Sequence, residues 1–392
     1  MKKICTILGI IILIVIVVGL SILKNSDGVN NNSASSTRIY KSSDLFTDRD
    51  LQQVADTTHA TKYTVSDGEN INIAEAGTYL ITGSAENVTL NVEASDTDKV
   101  QLVLEDLSIT NETMPCIYVK TADKVFVTSL GTNSLKVSGT FETDNENTNT
   151  TDNLNGVIFS KQDITFNGTG TLNIESTQNG ITGKDDIKIT GGTYEIKSSA
   201  VAIRANDSIR IADGTISLNA GTDGLHAENS SDDTKGYIYI GGGNINIEAT
   251  DDCVHGQSVV QIDDGTLKLN GAEGIEGTYV QVNGGTLTIN ATGDGINAGN
   301  KSDSHDVKIE TTGGTTTIVM ADGDTDGIDA NGDIVITGGK VDVTGTSTFD
   351  YDGTATFTGG TIVVNGTEVD SIPEPSTVGN NSKGDRLNGK EK

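Results

Sequence analysis

Residues 187–205 read IKITGGTYEIKSSAVAIRA. The same line returns as IRIADGTISLNAGTDGLHA (209–227), IYIGGGNINIEATDDCVHG (238–256), VQIDDGTLKLNGAEGIEG (260–277), VQVNGGTLTINATGDGINA (280–298), VKIETTGGTTTIVMADGDTDGIDA (307–330) and IVITGGKVDVTG (334–345). The second glycine of each Gly-Gly or Asp-Gly pair falls at 192, 214, 243, 265, 285, 314, 339 and 360, so the basic unit is about 21 residues long. Within a unit the apolar residues alternate, as in Ile187 and Ile189, then Tyr194 and Ile196, then Ile203. That is the strand period of two, in three pieces separated by turn residues. Three short strands per unit, none able to bury its apolar face alone, predict an all-β solenoid, a parallel β-helix. Its coils would stack about 4.8 Å apart with their inward aliphatics forming one continuous core. Calcium-binding nonapeptide repeats would need a period of nine, which the spacing excludes.

Two core columns are legible. Ile187, Ile209, Ile238, Val260, Val280, Val307 and Ile334 are predicted to stack, and so are Ile203, Leu225, Val254, Ile275, Ile296 and Ile328. Val100–Leu104 and Ile164–Phe166 show the same alternation in less regular early coils. The stretch Asp44 to Ala60 (DLFTDRDLQQVADTTHA) is the one helical candidate. It predicts a short helical cap over the amino-terminal end of the stack, where open strand edges would aggregate. The β-helix domain is thus expected over 44–372, with a polar loop at 141–153 and a disordered tail over 373–392.

Ahead of that domain, Lys2 and Lys3 precede an uncharged run from Ile4 to Leu23. As a helix it would measure roughly 30 Å, the thickness of a bilayer's hydrocarbon core. This predicts an uncleaved signal-anchor over 1–24 and a polar tether over 25–43, which would hold the folded part on the extracellular face of the cytoplasmic membrane; the alternative is a cleaved segment and a secreted protein. Cys5, Cys116 and Cys253 are too few for a disulfide framework, so free thiols or a single bridge are expected.

The 392 residues carry 26 Lys and Arg against 55 Asp and Glu, a net charge of −29, and lack Trp. A phosphate backbone would be repelled, which excludes a nucleic-acid partner. In the register of the core columns, the position two before the third strand's aliphatic reads Asn179, Val201, Asp223, Asp252, Glu273, Asp294, Asp326. The position one after it reads Thr182, Arg204, His226, His255, Glu276, Asn297, Asp329. Five carboxylates therefore stack beside a second row of oxygen and nitrogen ligands. Neighbours on adjacent coils repel by about 1 kcal/mol in water and several-fold more near a low-dielectric surface.

Calcium answers that repulsion geometrically, since two Ca–O bonds of about 2.4 Å end to end span neighbouring coils. Asp223, Asp252, Glu273, Asp294, Asp326, Glu276 and Asp329 are the expected calcium ligands, and His226, His255, Asn297 and Arg204 the expected ligand contacts. A solvated acidic face is the alternative; for the two histidines the alternatives are a softer metal such as zinc or plain surface positions. Insertions around ENSSDDTK (228–235) and GNKSDSHD (299–306) read either as walls at both ends of a groove centred on Asp252, Glu273 and Asp294 or as tolerated surface insertions.

Several stretches, DTDKVQLVLEDLSIT (96–110), IYVKTADKVFVT (117–128), FSKQDITFNGTGTLNI (159–174), IRIADG (209–214), GYIYI (236–240) and FDYDGTATFTGGTIVV (349–364), resemble a family of clostridial cell-surface carbohydrate-binding β-helix proteins. The resemblance runs from about Asp44 to Gly366. It implies a calcium-containing right-handed β-helix, similar in shape to pectate lyases, that binds acidic plant polysaccharide such as polygalacturonate, and also cellulose. Asp223, Asp252, Glu273, Asp294 and Asp326 match the family's repeated Asp-Gly-Ile positions. The coil Val201-Ala202-Ile203 lacks the acid and Cys253 replaces the glycine, so the resemblance does not carry a calcium site to the 201–223 interval.

The expected function is an extracellular, calcium-dependent, non-catalytic polysaccharide-binding protein. The alternatives are a calcium-dependent polysaccharide lyase and a structural surface adhesin. A lyase needs a base beside calcium, normally Arg or Lys. Arg204 is the only arginine on the second row, with Arg210 in the next coil. Tyr239 and Tyr279, read as outward-facing, are the candidates for stacking on an uncharged sugar.

Overall fold

The computed structural model describes residues 38–144, 152–323 and 325–375. The expected membrane segment over 1–24, most of the tether and most of the tail lie outside them. Among the described residues no helix is long and apolar enough to cross a membrane.

Among the described residues, short strands alternate with turns, and helix is confined to one four-residue turn. One 34-stranded sheet contains every strand among the described residues except a two-residue antiparallel pair, Thr143–Asp144 with Asp152–Asn153, in the expected polar loop. Within the large sheet the pairing is parallel except where Thr367–Val369 folds back on Thr361–Val364. Each strand of the regular coils pairs with its counterpart one coil later. Asp186–Ile189 pairs with Ser208–Ile211 and that with Tyr237–Ile240. Thr193–Ser198 pairs with Thr215–Ala220 and that with Asn244–Ala249. Ile203–Ala205 pairs with Leu225–Ala227. These three columns are named below the strap face, the threonine face and the ladder face.

The glycine pairs turn the chain from the strap face to the threonine face. Their second members lie at positive φ, 94° at Gly192, 118° at Gly265 and 75° at Gly339, a conformation a side chain disfavours. They also stack on one another. A Cβ at Gly285 would stand 2.7 Å from the carbonyl oxygen of Gly265 one coil away, so the turn excludes side chains for two independent reasons.

The core columns follow the predicted register with one slip. Val280 pairs with Ile309, and Ile309 with Ile334, while Val307 is only half-buried ahead of the strand. Val307 and Ile309 have the same parity, so alternation alone cannot tell which begins the strand after a loop. Cys116 and Cys253 are buried free thiols. Cys253 fits where its neighbours have glycine because Gly271 makes room, a Cβ there meeting the Cys253 Sγ at 2.8 Å.

The helical cap over Asp44–Ala60 is not found. The only helix described is the single turn Ser42–Leu45, and the segment that contains it crosses the coils along the strap face. The Tyr40 ring stacks on Tyr237 at 4.4 Å and its N–H donates to Gln261 Oε1 at 2.7 Å. Further on, Asp50 is fully buried between Lys124 at 2.6 Å and Lys188 at 3.4 Å. Burial raises its carboxyl, but the hydrogen bond and charge of Lys124 outweigh that and hold it well below the usual carboxylate range. The reason lies in what the strap covers: the strap face presents Phe126, Lys188, Arg210 and Tyr239 outward. Aromatic and basic side chains there are better buried under a complementary segment than left in water. Tyr239 is consequently 1% exposed and is no open stacking platform, while Tyr279 is half-buried, its hydroxyl donating to Glu310 and its ring centroid lying 4.8 Å from Lys308 Nζ and edge-on to His305.

Candidate functional site

The ladder face holds its side chains on short rigid strands locked by neighbouring coils. Arg204, His226, His255, Glu276, Asn297 and Asp329 are Cα partners in unbroken succession, as the sequence spacing required. Asp252 pairs directly with Glu273. The remaining ladder acids are linked through the backbone: the Gly224 N–H donates to the Asp252 carbonyl, and the Asp326 N–H to Asp294 Oδ1 at 3.0 Å.

The histidines are not surface positions. Their rings stack at 4.5 Å and 7°, with side chains 12% and 15% exposed. His226 Nδ1 meets Asp223 Oδ2 at 2.7 Å, and its Nε2 meets Glu228 Oε2 at 3.2 Å. His255 Nδ1 sits between Asp252 Oδ2 at 2.8 Å and Glu276 Oε2 at 2.7 Å. Burial would lower the His255 pKa, but the hydrogen bonds to Asp252 and Glu276 prevail and lift it to about 9. The two carboxylates share that one imidazolium unequally. For Glu276, burial is outweighed by the His255 and Lys301 hydrogen bonds, and its pKa falls to about 2. For Asp252, burial and the Glu276 charge prevail, raising it to about 6.

One coil on, the chemistry changes. Asn297 Nδ2 donates to Glu273 Oε2 at 3.1 Å and reaches Glu276 Oε1 at 3.5 Å. Glu273 is nevertheless pushed up to about 7, first by burial and then by the charges of Glu276, Asp252 and Asp294. Asp294, Asn297, Asp326 and Asp329 continue the face with oxygen donors and an amide only.

The insertions do not wall two ends of a groove. They meet, the Ser302 hydroxyl donating to the Asp233 carbonyl at 2.7 Å, at the corner between the ladder and strap faces. From there Glu228 reaches His226 and Lys301 reaches Glu276 at 2.7 Å. Neither residue was expected at the site. Both lie within the inserted stretches, but their reach depends on a loop path that periodicity does not encode. Arg204 is paired with Glu228 at 3.4 Å. Arg210 lies on the strap face, paired with Asp186 at 2.6 Å, and so is not beside the ladder.

A groove of about 660 Å³ runs instead along the last residues of the threonine face. Its wall is a hydrogen-bonded row, Asn290 Nδ2 to Asn270 Oδ1 at 2.6 Å and Asn270 Nδ2 to Glu248 Oε1 at 2.7 Å. Its apolar lining includes Ala291 and Val319, the latter 42% exposed. Groove residues Gly271 and Ala272 lead straight into Glu273, and Ala291 and Thr292 precede Asp294 by two or three residues.

Stacked coils bearing a row of acids beside an open groove define a repeat-built binding surface, and sequence comparison places it in a family. A family model described as carbohydrate-binding domain-containing protein matches residues 67–278 and 270–371, and the chain belongs to that family. A carbohydrate-binding domain-containing protein of Acetivibrio thermocellus is 32% identical over 125 residues, which are 31% of this chain and 43% of that relative, so the match spans less than half of the relative's length. A solved structure described as the polysaccharide lyase-like protein from C. thermocellum, gadolinium derivative, is 26% identical, covers 67% of this chain and 97% of its own, and superposes with a TM-score of 0.49.

Proposed function

We propose that this is an extracellular, non-catalytic polysaccharide-binding protein, a right-handed β-helix held at the cell surface by its 1–24 segment. Through calcium it would take an acidic, polygalacturonate-like polymer. The observation that carries the reading is the run of oxygen donors Glu273, Asp294, Asp326, Asn297 and Asp329 on successive coils. Calcium accepts six to eight such oxygens from carboxylates, amides and water. At a net charge of −29 the protein repels a polyuronate, and salt only weakens the repulsion. A calcium ion held by one or two of these carboxylates has positions left for the polymer's own carboxylates, and a row of such ions adds individually weak contacts. Arg204, committed to Glu228, is poorly placed as a lyase base.

The test is binding of the full chain to polygalacturonate. Binding should vanish with chelator, return with calcium better than with magnesium, and weaken when the carboxyls are methyl-esterified, with no unsaturated product accumulating. A second reading, an uncharged chain such as cellulose, is favoured by the amide row and apolar patch of the groove. Binding that survives chelation and ignores esterification would establish it over the first.

A further inference from the structure

We propose that Asp252, His255 and Glu276 form a site for a divalent transition-metal ion of the zinc class, separate in chemistry from the oxygen-only positions further along the face. His255 Nδ1, Asp252 Oδ2 and Glu276 Oε2 converge, the nitrogen 2.8 and 2.7 Å from the two oxygens, with all three ligand atoms within 4.8 Å of one another. Tetrahedral zinc bonds of about 2.0–2.2 Å to nitrogen and carboxylate oxygen need each of these donor pairs to part by roughly half an ångström, within reach of a side-chain rotation. An imidazole nitrogen is a poor ligand for calcium and a good one for zinc, cobalt or nickel.

The surroundings are those of a built site. All three ligands come from two adjacent strands in fixed register, Asp252 opposite Glu273 and His255 opposite Glu276. Asp252 and Glu276 are 7% and 8% exposed. Lys301 Nζ binds Glu276 Oε1 at 2.7 Å, which leaves Oε2 turned toward the imidazole. The stacked ring of His226, itself fixed by Asp223 and Glu228, sets the plane of His255. Such outer contacts orient ligands and are what a metal site needs beyond its donors. On binding, the ion takes the place of the Nδ1 proton, which leaves to solvent, and water completes the coordination. A dication between two buried carboxylates then does what a single proton does less completely.

This inference does not depend on the calcium reading. The full chain, stripped with chelator, is titrated with Co²⁺ and followed by its visible d–d absorption, then challenged with Zn²⁺. The expected result is one tightly bound ion whose band Zn²⁺ bleaches. His255→Gln should weaken binding at least about tenfold, while Asp294→Asn leaves it unchanged. Calcium binding measured in parallel should show the opposite pattern. X-ray absorption at the zinc edge on the unaltered chain should show imidazole scattering, and this decides the matter should the His255 variant fail to fold. An all-oxygen shell, or undiminished affinity in a folded His255→Gln protein, overturns the proposal.

Discussion

The coils around Asp223 and Asp252 and the coils from Glu273 to Asp326 share one backbone register and one row of acids, yet they neutralise those acids differently. In the first stretch the chain supplies its own cations: His226 and His255 lie within hydrogen-bond distance of Asp223, Asp252 and Glu276, and Lys301 completes the set. In the second, Glu273 has an amide for a partner and is pushed up toward neutrality by burial and by the acids around it. A repeat fold fixes where charges stand, and the second-row residues, His226 and His255 in one stretch against Asn297 and Asp329 in the other, decide whether the metal-free ladder carries its own cations.

The sharpest way to break that contrast is to remove an internal partner. Glu276→Ala leaves His255 and Lys301 in a low-dielectric setting with one carboxylate fewer, and truncating a buried ion pair typically costs about 3–5 kcal/mol. We expect a loss of about 3 kcal/mol in urea unfolding, against ~0.5 kcal/mol for Asp326→Asn in calcium-free buffer. Equal losses would mean the two stretches are energetically alike.

Next in size is the response to calcium. An ion bound only by the folded state stabilises by about 2.7 kcal/mol at a hundredfold excess over its dissociation constant. Restoring calcium after chelation should raise the melting temperature accordingly. Glu273→Gln combined with Asp294→Asn should abolish the rise, while His255→Gln should keep it. A melting temperature indifferent to millimolar calcium would remove the oxygen-rich stretch as a calcium site.

The two stretches should also differ in pH window. Glu273 binds its proton more tightly when folded, so the stability linked to it is full below about pH 4.5 and is lost as pH rises toward its folded value of about 7. His255, raised to about 9, gives stability that is full below about 6.5 and is lost as pH climbs through 9. In calcium-free buffer at pH 8, Glu273→Gln should therefore stabilise by ~1–2 kcal/mol, allowing for solvent screening of a partly exposed group. It should also flatten the loss between pH 4.5 and 7 while leaving the loss above pH 7 intact. A variant that is less stable at pH 8 would show that the Glu273 carboxylate is well compensated as it stands.

The coil stack and both rows of the ladder face were legible because they obey a fixed period and a fixed parity, which stacking converts directly into contact. Three features were not. The segment around Asp50 carries alternating charge and a few apolar residues that suit a short helix, but its partners, Lys124 and Lys188, lie far away in sequence, and no local pattern reports them. Val307 and Ile309 are equivalent by parity, and only the loop length chooses between them. Lys301 and Glu228 enter the site from insertions, where the repeat that makes every other position readable is interrupted.

The smallest expected effect ties the groove to the oxygen-rich stretch. Asn290 lines the groove on the coil that leads to Asp294, whereas Asn219 holds the matching outward position two coils before Asn270, on the coil that leads to Asp223, and does not line it. If the polymer lies along the groove and reaches calcium beside it, Asn290→Ala removes one hydrogen-bonding amide from the contact. The loss should be about 1 kcal/mol, roughly fivefold in dissociation constant for polygalacturonate at saturating calcium. Asn219→Ala should change nothing measurable, because a polymer confined to the groove would not reach the coil that leads to Asp223. Isothermal titration of both variants distinguishes the two positions. Equal weakening would place the polymer along the whole face, and no weakening in either would separate the groove from the calcium row and leave the ladder as the sole contact.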